Sequence, residues 1–243
     1  MRFQTPLVPA RLIRRYKRFL CDMVLEATGQ EVTAHCPNPG AMIGLAEPGL
    51  RCWLEPNDDP RRKLRFAWRL VDLPGGHRAG IDATLPNRLV AGALQAGRIA
   101  ELTGYADIRA EVRYGARSRV DFLLSGGAGP PVWLEVKNVH LRRGDDWAEF
   151  PDCVTARGTR HLRELAQRVA AGDRAVMLYV VQRSDCARLR IAGDLDPAYA
   201  TAFDAARADG VEMLAYGTTL SPQGVAIAGP IAVDPGPQHI PPA

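Results

Sequence analysis

The chain has 243 residues, 47 % of them hydrophobic and 24 % charged, with a mean hydropathy of −0.14. This composition excludes a disordered or collagen-like chain, and the length suffices for one large core or two smaller ones. The net charge of +4 is uneven: residues 1–80 hold 13 Lys and Arg against 8 Asp and Glu, residues 81–243 hold 18 against 19. A basic first module beside a near-neutral second suits an anionic partner, nucleic acid first among them, although ordinary solubility explains the same excess.

No run of about 18 uninterrupted apolar residues occurs, so a membrane-spanning helix is not expected. The start, MRFQTPLVPARLIRRYKRFL, lacks the apolar centre of a signal peptide, and a cytoplasmic location is expected. Five cysteines, an odd number with no CxxC pair, fit reduced thiols better than a zinc ribbon or a disulfide framework. The histidines are scattered without HExxH spacing, so carboxylates would have to hold any metal.

Residues 10–80 read as strands. RLIRRYKRFLCDMVLE mixes basic and apolar residues, EVTAHC alternates, CPNPGAMIGLAEPG is rich in turn formers, RCWLEP is short, NDDPRRK is a polar turn and LRFAWRLVDL alternates. Four or five short strands with turns between them predict a small antiparallel barrel over residues 1–80, with Arg and aromatic side chains suited to single-strand binding. Its best nucleic-acid stripe is Arg14, Arg15, Tyr16, Lys17 and Arg18. Strand alternation would put Arg14, Tyr16 and Arg18 on one face and Arg15, Lys17 and Phe19 on the other, unless the aromatic residues serve the core.

PGGHRAGID marks a boundary. Beyond it LPNRLVAGALQAGRIAELTG has helical spacing, with Asn87 as a candidate N-cap and Gly104 near the stop. Three strands follow, DIRAEVRYG, SRVDFLLSG and PVWLEVKNVHL, the last two joined by a Gly- and Pro-rich hairpin. TARGTRHLRELAQRVAAG is a second helix with Thr155 as candidate N-cap. RAVMLYVVQ reads as a strand buried on both faces, PAYATAFDAARADG as a third helix and VEMLAYGTT as a last strand. The order is α-β-β-β-α-β followed by α-β, over residues 81–231, and residues 232–243 read as a loose Pro-rich tail.

The candidate chemistry lies on two of these strands. Glu135 and Lys137 are two apart and share a face, while Asp121 on the preceding strand can lie opposite them. Burying three charged groups in an apolar sheet needs compensation, either a divalent cation on the two carboxylates or a plain Glu135–Lys137 ion pair. Under the first option Asp121 and Glu135 supply hard oxygen ligands for Mg²⁺ or Mn²⁺, the Val136 carbonyl a third, and Lys137 steadies charge on a phosphate. The chain has 28 Arg and three Lys, so a lysine at position 137 runs against its own bias.

In this topology Asp121 and Glu135-Val136-Lys137 resemble the PD-(D/E)xK nuclease superfamily. A wider set resembles the sugar fermentation stimulation protein A family: His35 to Gly40, Leu85 to Val90, Ser118 to Leu124, Glu135 to Val139, and Phe150-Pro151-Asp152 leading into Thr155 to Leu162. Pro39, Asp82 and Ala83 depart from that family's pattern and lie outside the Asp121, Glu135, Lys137 set. The resemblance implies an OB-fold domain, a restriction-endonuclease-like αβββαβ domain with mixed sheet, DNA binding, a link to regulation of sugar metabolism and an inferred Mg²⁺-dependent nuclease site. It makes Asp121 and Glu135 metal ligands and Lys137 the catalytic lysine. Nucleases of this type often add an acidic residue, here Glu111 or Glu101, with Glu111 favoured by its place on the strand leading to Asp121.

Glu149 and Asp152 either lie near the site or serve as helix-start carboxylates. Arg157, Arg160 and His161 offer either a phosphate dock or a solvated basic face, and His161 alone reads as a partly exposed structural histidine. A non-catalytic DNA-binding regulator on the same scaffold is the alternative function. A sugar-phosphate enzyme lacks a Gly-rich phosphate loop. Nuclease chemistry is compatible with a homodimer, for which the sequence shows no surface.

Overall fold

A computed structural model describes residues 1–114 and 118–234. Five strands close the first module: β1 (Val8–Tyr16), β2 (Leu20–Leu25), β3 (Glu31–His35), β4 (Arg51–Pro56) and β5 (Phe66–Asp72). β1 pairs antiparallel with both β2 and β4, and β3 meets β5 at His35–Ala67, so the order β3-β2-β1-β4-β5 shuts into an OB-type barrel. Short β6 (Arg78–Gly80) adds to β5. Alternation fills the interior with Ala10, Leu12, Cys21, Met23, Cys52, Leu54 and Trp68.

A six-stranded mixed sheet follows, in the order β14-β13-β11-β9-β8-β7. Its members are β7 (Asp107–Tyr114), β8 (Ser118–Ser125), β9 (Val132–Val139), β11 (Arg174–Val181), β13 (Glu212–Ser221) and β14 (Gly224–Pro230). β9, β11 and β13 are parallel, and all of β11 beyond Arg174 is buried. Helix α1 (Leu85–Gln95) covers one face, while α2 (Ala156–Ala170) and α3 (Pro197–Ala208) cover the other. Three further pieces escaped the sequence reading: β14, and β10 (Trp147–Phe150) and β12 (Arg188–Ile191), which pair in a small parallel side sheet. Ala232–Val233, expected in the loose tail, form β15 on that side sheet, and residues 235–243 lie outside the described part. No described helix is long and apolar enough to cross a membrane.

Two helix ends differ from expectation. The N-cap of α1 is Thr84, and Asn87 lies inside the helix. The helix stops at Gln95, where Gly97 takes a left-handed φ of +63°, well before Gly104. Ile99 and Leu102 remain in the core beyond the stop, so their spacing imitates a longer helix. Thr155 does cap α2, its hydroxyl accepting from the Gly158 N–H.

The barrel and the second module share a core and a buried polar seam. Leu7 and Leu70 of the barrel pack into the α1-side cluster. Asn38 donates to the Ile81 carbonyl, and both Asn38 and Asn138 aim their amides at His140 Nδ1. Gln182 donates to the Asp82 carbonyl and to Asn138 Oδ1. A Cβ at Gly40 would run into the Asp152 carboxylate, which accepts from the Ala41 N–H, so a larger residue there would have to displace that contact.

Candidate active site

The site forms where the sheet opens. Phe122 and Leu124 face the α1 side, but Val120 faces the α2 side, as do Val112 and Tyr114 across from it on β7. The ribbon of β7 and β8 thus changes face at Glu111 and Asp121. Glu111 takes φ +55°, a conformation that L side chains rarely adopt. The β8–β9 ladder ends at Phe122–Leu134, which frees the Val136 N–H from strand pairing on that side. The Asp121 carboxylate takes it: Oδ2 accepts from Val136 N at 2.7 Å, and Oδ1 accepts from Asn87 Nδ2 at 2.6 Å.

Glu135 and Lys137 project together toward α2, as alternation requires. Lys137 Nζ donates to Glu135 Oε1 at 2.7 Å. His161 Nδ1 meets the same oxygen, and Arg157 Nε donates to His161 Nε2 at 3.3 Å. An Nε2 that accepts from Arg157 assigns the ring proton to Nδ1, facing Glu135, with Lys137 Nζ 3.2 Å from the same nitrogen. Burial by itself would raise the Glu135 pKa, but the bond from His161 and the charge of Lys137 outweigh it and hold the carboxyl below its ordinary range. Asp121 goes the other way: burial, and then the like charge of Glu135, raise it.

Glu135 Oε2 is buried and has no partner. Two further orphans lie in the same neighbourhood, Tyr114 Oη and Glu164 Oε2, while Glu164 Oε1 accepts from Ser118 Oγ at 2.8 Å. Burial and the charges of Glu135, Glu164 and Asp121 all raise the Tyr114 hydroxyl. Buried polar atoms are normally matched, so three orphans together mark a place prepared for water, an ion or substrate. The set fits a hard divalent cation in its chemistry, with two carboxylates and one free oxygen. Among the described residues no group of three or more His, Cys, Asp and Glu is gathered that could hold a metal, so Glu111 does not complete a three-acid set. Its side chain is exposed. The alternative acid, Glu101, is engaged elsewhere by the Tyr216 hydroxyl at 2.7 Å.

The other expected residues divide. Arg14 remains exposed, over the Tyr16 ring at 4.9 Å and paired with Asp22, to which Tyr16 also donates. Arg15 is no open cation: it holds the Asn38 and Gly40 carbonyls at 2.8 and 3.0 Å. Lys17 and Arg18 do not continue the strand but form an exposed turn with φ of 47° and 61°, so the expected alternation stops at Tyr16. Arg157 and Arg160 are exposed on the first turns of α2. Glu149 and Asp152 are not helix-start carboxylates. Arg143 and Arg190 neutralise Glu149, Asp152 holds the barrel loop, and Asp196 takes the Thr155 N–H instead.

Sequence reasoning missed Asn87, Tyr114 and Glu164, and it read His161 as partly exposed where it is 1 % exposed. His161 and Glu164 lie three apart on the α2 stripe facing the sheet, a spacing visible in the sequence.

Comparison with known proteins agrees with this architecture. The chain matches the family described as "SfsA N-terminal OB domain" over residues 13–81 and that described as "Sugar fermentation stimulation protein RE domain" over residues 84–224. Proteins named sugar fermentation stimulation protein homolog are similar throughout. The one from Dinoroseobacter shibae is 65 % identical across 98 % of each chain, and that from Jannaschia sp. is 65 % identical across 98 % of this chain and 99 % of its own. The solved structure of Pyrococcus furiosus SfsA in complex with Ca²⁺ has a TM-score of 0.85 at 27 % identity, covering 96 % of this chain and 98 % of that one. The chain, with its OB barrel and its opened mixed sheet, belongs to the sugar fermentation stimulation protein family.

Proposed function

We propose that the protein binds DNA and hydrolyses phosphodiester bonds at Asp121, Glu135 and Lys137 with Mg²⁺ or Mn²⁺. The observation that carries this reading is the unmatched, buried Glu135 Oε2 beside Asp121. Leaving a buried carboxylate oxygen unsatisfied costs about 1–3 kcal/mol, a cost that a bound cation removes. The Ca²⁺ complex of the Pyrococcus furiosus relative supports an oxygen-ligand site in this fold. The relatives' name, sugar fermentation stimulation protein homolog, supports a link to sugar metabolism.

Asp121 and Glu135 would hold the cation, which when bound polarises a phosphoryl oxygen and lowers the pKa of coordinated water. Asn87 and the Val136 N–H fix the Asp121 carboxylate, and His161 fixes Glu135. Lys137 places a compact positive charge next to Glu135, where it can contact a phosphate oxygen as negative charge develops. Arg157 and Arg160 offer cations to the flanking phosphates.

The test is nicking of supercoiled plasmid in Mg²⁺, Mn²⁺ or EDTA, with Asp121→Ala and Lys137→Ala in parallel. Metal-dependent cutting lost in both variants is the expected result. No cutting, with DNA binding that still weakens steeply in salt, would make the protein a non-catalytic DNA-binding regulator on this scaffold.

A further inference from the structure

A cleft of about 410 Å³ lies between the barrel and α1, and Asp121, Glu135 and Lys137 are not among its lining residues. Its walls come from the ends of β3 and β4, the start of β5, the 57–65 loop, the N-terminal residues and the first turn of α1. The acids in it are already matched. Arg69 bonds Glu55 at 2.7 Å and Asp82 at 2.6 Å, Gln4 N donates to the second Glu55 oxygen, and Thr84 donates to the second Asp82 oxygen. The cations are not matched. Arg62, Lys63 and Arg88 line the cleft, are exposed, and have no ion pair or side-chain hydrogen bond among the described residues. Phe66 and His35 add aromatic rings to the wall. Burial, and then the charge of Arg69, lower the His35 pKa, with Asp82 opposing and Arg62 adding to the shift.

The geometry points to a nucleotide-binding cleft that holds one unstacked nucleotide of a single-stranded segment, its phosphate on Arg62, Lys63 and Arg88 and its base against Phe66 and His35. A volume near 400 Å³ suits one nucleotide, within the roughly 300–1,000 Å³ range of small-ligand sites, and is too small to enclose a base pair with both its backbones. Unpaired cations around a concave site favour phosphate, and aromatic walls favour a base of any identity. The first turn of α1 ties the cleft to the carboxylates: Leu85 and Arg88 face the cleft while Asn87 holds Asp121. A strand anchored in the cleft therefore continues toward Asp121 across a single helical turn. This deepens the DNA reading above and rests on it for the strand, but not on metal or cleavage.

The experiment is fluorescence anisotropy of a labelled oligodeoxythymidylate in EDTA, with the full chain. Arg62→Glu with Lys63→Glu, and separately Arg88→Glu, weaken binding by roughly tenfold or more and flatten its salt dependence. Phe66→Leu weakens it by several-fold with the salt slope kept, as lost stacking requires. Arg61→Glu, whose native partner is Asp59 outside the cleft lining, leaves affinity within about twofold. A blunt hairpin duplex binds more weakly than the single strand and does not respond to the cleft variants. Equal affinity of wild type and cleft variants for the single strand overturns the inference. Binding of thymidine 5′-monophosphate that is lost in Arg88→Glu, with no strand binding, keeps the nucleotide chemistry and overturns the strand. Because every arm is read without metal, a failed nicking assay leaves this test intact.

Discussion

Glu135 and Glu149 are both buried in the second module, 3 % and 1 % exposed, and both sit on strands. Their surroundings differ. Glu149 receives Arg143 at 2.8 Å, Arg190 at 2.7 Å and the Arg143 N–H, so both of its oxygens are bonded. Glu135 has two donors crowded on Oε1 and none on Oε2, with Tyr114 and Glu164 orphaned nearby. A buried charge whose lone pairs are all matched holds structure together. One left incomplete, with further orphans around it, has been kept open for something else.

The comparison breaks first on activity. Lys137→Ala and Asp121→Ala are expected to lower metal-dependent plasmid nicking by about 100-fold or more, whereas Thr155→Ala, which only uncaps α2, leaves it within a few-fold. On stability the order reverses. Glu149→Gln removes the charge that faces Arg143 and Arg190, both of which stay partly exposed, and should cost about 1–3 kcal/mol in urea denaturation. Asp121→Asn should stay within about 1 kcal/mol of wild type in EDTA. Burial and the like charge of Glu135 raise the Asp121 pKa in the fold, so a neutral side chain removes the cost of the charge, but the amide has one acceptor oxygen for two donors, Asn87 Nδ2 and the Val136 N–H, and loses one of those bonds.

The seam between the modules sharpens the contrast through pH. Burial lowers the His140 pKa to about 4 from 6.5, and Nδ1 already accepts from two amides. As pH falls, the unfolded chain takes up this proton before the folded one does. Stability is therefore full above about 6.5, declines toward pH 4 and loses roughly 3 kcal/mol across that window. His140→Gln should flatten that limb of a melting-temperature profile. Thr155→Ala should cost about 1 kcal/mol in the same denaturation assay.

These contrasts show what could be read from residues alone. Alternation placed Glu135 and Lys137 on one face, and the hairpin brought Asp121 against them, because both depend only on strand period and a Gly- and Pro-rich turn. The barrel was legible for the same reason. The parts that failed depend on tertiary contacts. Asn87 carries cap chemistry in its residue type, yet its partner is Asp121 on a distant strand. Arg15 looks like one member of a basic stripe, yet it holds the Asn38 to Gly40 loop. The change of face at Glu111 and Asp121, which opens the sheet, leaves no signature in residue type, since non-glycine residues rarely adopt φ +55°. β10 and β12 have four residues each, too few to show a period.

The most direct measurement is titration of Mn²⁺ into the metal-free protein, followed by electron paramagnetic resonance of the free ion. Saturable binding at the Asp121–Glu135 site, abolished by Asp121→Ala and Glu135→Gln and preserved by Glu149→Gln, is the expected result. Binding that is equal in wild type and Glu135→Gln, or none in wild type, would contradict it.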